Sequence, residues 1–186
     1  MKIYNELVSI FETANILLLE KDKGLFDYEV SERTLCGALM LHLNNIISGN
    51  EELNGYYVDV EYNRNKGGIK TIRKTIRDTD EKIIPINCDL IVHSRGECVE
   101  QDNLIAIEMK KSNRSMEEKN KDRERLIALT KDSFDDVWAF DGRNLPEHVC
   151  RYVLGVYYEI NYNRKKITIE YYRKGKNVNQ YTLDFN

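Results

Sequence analysis

The first fifty residues carry apolar side chains at helical intervals. Ile3, Leu7, Ile10, Phe11, Ala14, Leu17 and Leu18 form one stripe, and Leu35, Ala38, Leu39, His42, Leu43, Ile46 and Ile47 form a second. A period of three to four residues predicts two amphipathic helices, broken around Gly24. Ser31 is placed to cap the second helix, and Ser48-Gly49-Asn50 to stop it. His42 falls on that helix's apolar stripe and is expected to pack there.

After residue 55 the period becomes two. Residues 56–62, Tyr-Tyr-Val-Asp-Val-Glu-Tyr, alternate aromatic and β-branched side chains with acids and predict a strand. Residues 86–93 and 103–110 predict two more, joined across a turn containing Arg95-Gly96. A charged helix is expected over 116–131 and a short strand over 137–140. Residues 152–160 and 166–172 flank Asn161-Tyr162-Asn163 as a hairpin, with a last strand at 181–185. Two helices, three strands, a helix and further strands predict mixed α/β architecture, a central β-sheet flanked by helices. The 186 residues contain no repeat and no Pro/Gly/Ser linker, so one domain over 1–186 is expected. Pro85 and Pro146 mark joints within it.

Composition narrows the setting. The strongest apolar run, Ile16-Leu17-Leu18-Leu19, ends at Glu20, well short of the roughly 18 residues that a membrane span needs. Met1-Lys2 leads into a helix carrying Glu6 and Glu12, which does not read as an export leader, so a cytoplasmic protein without a membrane partner is expected. Cys36, Cys88, Cys98 and Cys150 make no C-x-x-C pair and are expected to be reduced thiols. Cys88 and His93 lie close together, but the two further ligands of a zinc site are missing.

The net charge of −3 speaks against a polyanionic partner until its distribution is considered. Residues 1–60 sum to −6 and the remainder to +3. From Arg64 to Arg77 there are six basic residues and no acid: Arg64, Lys66, Lys70, Arg73, Lys74 and Arg77. A polyanion meets the local patch, and this stretch, inserted between two predicted core strands, is a candidate arm for tracking a phosphate backbone. A solvated hairpin with ordinary surface lysines is the competing reading, and Arg64 is either a phosphate clamp or a solvated strand-end arginine. Of the twelve tyrosines, those in strands are expected to be half-buried sheet residues rather than base-stacking platforms.

The chemistry concentrates in Asp89-Leu-Ile-Val-His and Leu104-Ile-Ala-Ile-Glu108-Met109-Lys110-Lys111. Alternate side chains on a strand share a face, so Ile105, Ile107 and Met109 form a core face. Ala106, Glu108 and Lys110 point the other way, placing an acid and a base about 6.6–7 Å apart on an otherwise apolar strand. Burying that acid costs several kcal/mol (about 3–5 when its partner is absent) unless it is paired or binds a cation. Asp89 opens the preceding strand, and in a hairpin it converges on Glu108. Converging carboxylates suit a hard cation, Mg²⁺ or Mn²⁺. The bland alternative is a buried Glu108–Lys110 ion pair with Asp89 as a turn residue.

These residues resemble the PD-(D/E)XK nuclease superfamily, in which an acid on one core strand is followed by Glu-x-Lys on the next. Here Asp89 is followed after eighteen residues by Glu108-Met109-Lys110, with a helix before and a helix after. Cys88 stands where the name-giving proline usually does. The resemblance spans about residues 32–131. It implies a restriction-endonuclease-like fold and Mg²⁺- or Mn²⁺-dependent hydrolysis of phosphodiesters, with DNA expected before RNA. It further implies a metal held by Asp89, Glu108 and the backbone carbonyl of Met109, with Lys110 orienting or deprotonating the water. An acid on the preceding helix that assists in holding the metal is also implied, and Glu32 fits it as well as it fits a first-turn acid complementing the helix dipole. Asp122-Arg123-Glu124-Arg125-Leu126 matches an Asp-x-x-(Lys/Arg)-Leu pattern of a bacterial and phage-type subgroup, as Glu61-Tyr62-Asn63-Arg64 matches another. Asp122 itself, on a charged helix, is expected at the surface. The alternative function is a non-catalytic nucleic-acid- or protein-binding regulatory module on the same fold, and a homodimer is a further candidate assembly.

Overall fold

The computed structural model describes residues 2–60, 64–65, 68–69, 71–76, 80–85, 88–98, 100–132 and 150–185; between 64 and 85 the description is of backbone pairing. Helix α1 (Lys2–Lys21) and helix α3 (Glu32–Ser48) are the two predicted amphipathic helices, with a short α2 (Lys23–Asp27) at the expected break. Ser31 caps α3 as its spacing implied, its side chain accepting from the Thr34 amide. His42 does more than pack on its own helix. Its Nε2 lies 2.6 Å from Asp22 Oδ2, tying α3 to the link after α1.

Strands β1 (Tyr57–Val60), β6 (Leu90–His93), β7 (Asn103–Lys111), β8 (Leu154–Asn161), β9 (Lys166–Arg173) and β10 (Lys176–Asp184) form one six-stranded sheet in the order β1-β6-β7-β8-β9-β10. Every neighbouring pair is antiparallel except β7–β8. That parallel pair requires a crossover, and its described part is α4 (Met116–Leu129). The last strand starts five residues earlier than its apolar end at 181–185 suggests, because β10 is an edge strand with mostly exposed side chains. The strand expected over 86–93 is shorter, beginning at Leu90 after a bend at Asp89. Residues 137–140 lie outside the described residues.

Between β1 and β6 the chain forms two small antiparallel ladders, β2 (Arg64–Asn65) with β3 (Gly68–Ile69) and β4 (Thr71–Ile76) with β5 (Asp80–Pro85). The basic stretch is therefore an insertion between core strands, and β4 passes beside α4. Arg64, Arg73 and Lys74 belong to these ladders; Lys66, Lys70 and Arg77 lie outside the described residues.

The two sheet faces are chemically different. One packs on α1 and α3 through Leu7, Phe11, Leu35, Leu39 and Leu43 against Ile105, Ile107, Met109, Tyr158 and Ile169. The other packs on α4 through Leu126 and Leu129 against Ala106, Tyr157 and Tyr172. The alternation predicted for β7 is thus the one observed. Helix α4 is charged along most of its length, so its docking depends on capping and on buried ion pairs more than on apolar area. Ser115 accepts from the Glu118 amide while Glu118 reaches back to the Ser115 amide, a reciprocal cap. Gly155 on β8 lets α4 sit close: a Cβ there would stand 2.9 Å from Thr130 Cγ2 and 3.1 Å from Tyr172 Cβ. Among the described residues no helix is long and apolar enough to cross a membrane.

Candidate metal centre

The antiparallel register of β6 and β7 pairs Leu90 with Ile107, which puts Asp89 at the next position, opposite Glu108. The hairpin thereby brings together the two acids that the sequence left eighteen residues apart. Cys88, buried, donates its thiol to the Ile107 carbonyl at 3.3 Å and anchors the turn into Asp89. His93 turns elsewhere, its Nε2 lying 2.9 Å from Asp59 Oδ2, so Cys88 and His93 engage separate partners.

Asp89 Oδ2 accepts the Met109 amide at 2.8 Å. In an extended strand the N–H and C=O of one residue face the same edge. The Met109 carbonyl therefore faces the β6 side too, where Asp89 stands. Burial raises the Asp89 carboxyl above its ordinary value, against the pull of the Met109 amide and of Lys110.

Glu108 is 1 % exposed. Burial, reinforced by the neighbouring Asp89 and Asp122 carboxylates, raises it above its ordinary value against the attraction of Arg125. Its direct partner is not Lys110. Arg125 Nη1 stands 2.5 Å from Glu108 Oε1 and 3.3 Å from Asp122 Oδ1, and Lys110 Nζ stands 2.9 Å from Asp122 Oδ2. The chain of charges runs Glu108–Arg125–Asp122–Lys110, with Asp122 serving two cations. Burial works against the Lys110 charge, but Asp122, Asp89 and Glu32 outweigh it and hold the ammonium above its ordinary value.

Asp122 is the correction to the sequence reading. It is buried, at 5 % exposed, rather than on the surface. The signal lay in its spacing, since Lys119, Asp122, Leu126 and Leu129 share one helical stripe and all four are buried. Arg125, three residues on in the same motif, is the direct partner of Glu108.

Glu32 sits in the first turn of α3, yet its carboxylate is directed across to the sheet. Oε1 accepts the Lys111 amide at 2.7 Å and lies 3.4 Å from Arg114 Nε. It binds the C-terminal end of β7 to α3 and contributes to the field that keeps Lys110 charged.

A second ion-pair group runs along the same helix. Arg123 meets Glu170 through Nε at 3.0 Å and Nη2 at 2.7 Å and lies over the Tyr157 ring at 4.2 Å. Lys119 reaches Glu159 Oε1 at 3.2 Å, and Tyr172 donates to Glu170 at 2.6 Å. Tyr152, Tyr157, Tyr158, Tyr171 and Tyr172 are buried and Tyr56 and Tyr57 half-buried, which fits the sheet-packing reading; Tyr62 lies outside the described residues.

No protein-family model, no curated protein and no solved structure matches the chain. Its chemistry must be read from its own groups. Among the described residues no three carboxylate, imidazole or thiol side chains form a ready cluster for a metal ion. The groups that could hold a cation, Asp89, Glu108 and the Met109 carbonyl, are nonetheless all oxygen donors, the kind a hard cation favours. The cation now between Glu108 and Asp122 is the Arg125 guanidinium.

Proposed function

We propose that this chain is a PD-(D/E)XK-type nuclease with a restriction-endonuclease-like fold, hydrolysing phosphodiesters of nucleic acid, DNA before RNA. One observation carries the reading: the β6–β7 hairpin sets Asp89 opposite Glu108, with Lys110 following on the same face of β7. Two carboxylates there, one of them almost wholly buried, are hard to reconcile with a purely structural hairpin. Asp89, Glu108 and the Met109 carbonyl hold Mg²⁺ or Mn²⁺, and Glu32 steadies the end of the strand. A divalent cation bound there supplies Lewis-acid activation of the phosphodiester and of water. Lys110, 2.9 Å from Asp122, orients the attacking water or takes its proton. The basic residues between Arg64 and Arg77 would track a phosphate backbone, with β4 passing beside α4.

A second reading has its own observation. Arg125 and Lys110 already compensate Glu108 and Asp122, so the cluster can serve as a clamp between α4 and the sheet. The protein is then a non-catalytic nucleic-acid- or protein-binding module. Cleavage assays on single- and double-stranded DNA and RNA in Mg²⁺, Mn²⁺ or EDTA, with Glu108→Gln and Lys110→Ala alongside, separate the two. Metal-dependent cleavage lost in both variants supports the nuclease. Cleavage that survives either substitution overturns this site assignment, and no cleavage of any substrate favours the module.

A further inference from the structure

The guanidinium of Arg125 bridges two carboxylates from different elements, Glu108 of β7 and Asp122 of α4. Glu108 is almost wholly buried, and the only cation in contact with it among the described residues is this one. A divalent ion reaching the Glu108 carboxylate meets the guanidinium as a competitor for the same buried charge, and a dication beside a guanidinium is repelled strongly at low local dielectric. The Arg125 side chain is 25 % exposed, so it has a way out toward solvent while Glu108 does not.

We propose that Arg125 is a positioning residue that occupies the cation site of the unloaded protein, and that Mg²⁺ uptake and release of its guanidinium from Glu108 are one exchange. This rests on the metal-site reading above and adds to it a device within the chain. In the unloaded state the ion pair satisfies Glu108 and keeps α4 seated. On loading, a guanidinium on α4 is freed beside Lys110, which adds positive charge to the face that a phosphate would meet. The bridge is thus a built-in competitor, and the metal affinity of the wild-type chain is lowered by the work of displacing it.

Calorimetric titration of Mg²⁺ into the wild-type chain, Arg125→Met and Lys121→Met tests the exchange. Lys121 is an exposed cation on the same helix, paired with Glu117, and controls for the loss of one charge. Arg125→Met is expected to bind Mg²⁺ at least about tenfold more tightly than wild type, the scale of one charge-assisted hydrogen bond, with Lys121→Met unchanged. Should Arg125→Met not fold, the wild-type chain carries the test. The Nε–Hε resonance of Arg125, assigned by its loss in Arg125→Lys, should move saturably with the calorimetric midpoint. Wild-type Mg²⁺ binding with Arg125→Met no tighter, or with that resonance unmoved at saturation, overturns the exchange and leaves the metal site standing. A folded wild-type chain that takes up no Mg²⁺ overturns both.

Discussion

Lys110 on β7 and Asp122 on α4 meet at 2.9 Å, so the lysine of the Glu-x-Lys pattern is positioned by the following helix and not by its strand neighbour Glu108. The consequence is mechanical: whatever Lys110 does depends on α4 being docked.

Asp122→Asn keeps the volume of the side chain and removes the charge that two cations share. Breaking a buried pair leaves the remaining charges uncompensated, and a loss of about 3 kcal/mol is expected in urea unfolding. A loss below about 1 kcal/mol, the range of a surface pair, would show that Asp122 is not the hub of this network.

The Arg123–Glu170 pair is the counterpart on the other side of α4. Arg123→Met should cost about 2–4 kcal/mol by leaving Glu170 buried with only the Tyr172 hydroxyl to meet its charge, and adding Glu170→Gln should recover at least half of it. A double-mutant cycle with coupling near zero rules out a direct pair. Neither change should alter the Mg²⁺ midpoint, because neither residue touches Glu108.

Glu32 separates a ligand role from an anchoring role. Glu32→Gln retains an oxygen for the Lys111 amide at its 2.7 Å position, so stability should change by less than about 1 kcal/mol, whereas Glu32→Ala should lose about 1–2 kcal/mol. If Glu32→Gln removes Mg²⁺ binding altogether while the fold stands, Glu32 is a metal ligand and its contact with β7 is incidental.

Asp59 gives the pH prediction. Burial opposes its ionisation, but hydrogen bonds from Arg95 at 2.6 and 2.8 Å and from His93 hold the carboxyl below its ordinary 3.8. A carboxyl lowered in the folded state stabilises the fold above its unfolded pKa, and that contribution disappears as pH falls through the folded value. Asp59→Asn should therefore cost about 1 kcal/mol at pH 7, the partly exposed Arg95 limiting the effect, and cost progressively less below pH 3.8. Urea midpoints at several pH values measure it, and a gap that widens toward low pH contradicts the assignment.

Much of this architecture was legible because it rests on period. The stripes of α1 and α3, the Ser31 cap and the opposed faces of β7 are one-dimensional patterns, and each is found where the pattern puts it. The Asp89–Glu108 juxtaposition needed only the hairpin in addition. The partners of those acids were not legible. Which cation meets Glu108 depends on how deeply and at what rotation α4 lies on the sheet, and that is decided by packing at Gly155, Leu126 and Thr130. A parallel β7–β8 pair also has to be closed by a crossover before α4 can face β7, which makes every α4 contact with β7 a tertiary event.

Gly155 then sets a length scale for the chemistry. With the Leu126 and Thr130 side chains at the end of α4 packed on the backbone of β8 at Gly155, an acid with a single methylene, Asp122, spans the gap to Lys110. A methyl at 155 would raise the helix, and a two-methylene acid at 122 would be needed to close the same distance. Residues 155 and 122 should therefore change together: a chain that gains a side chain at the first should carry Glu at the second.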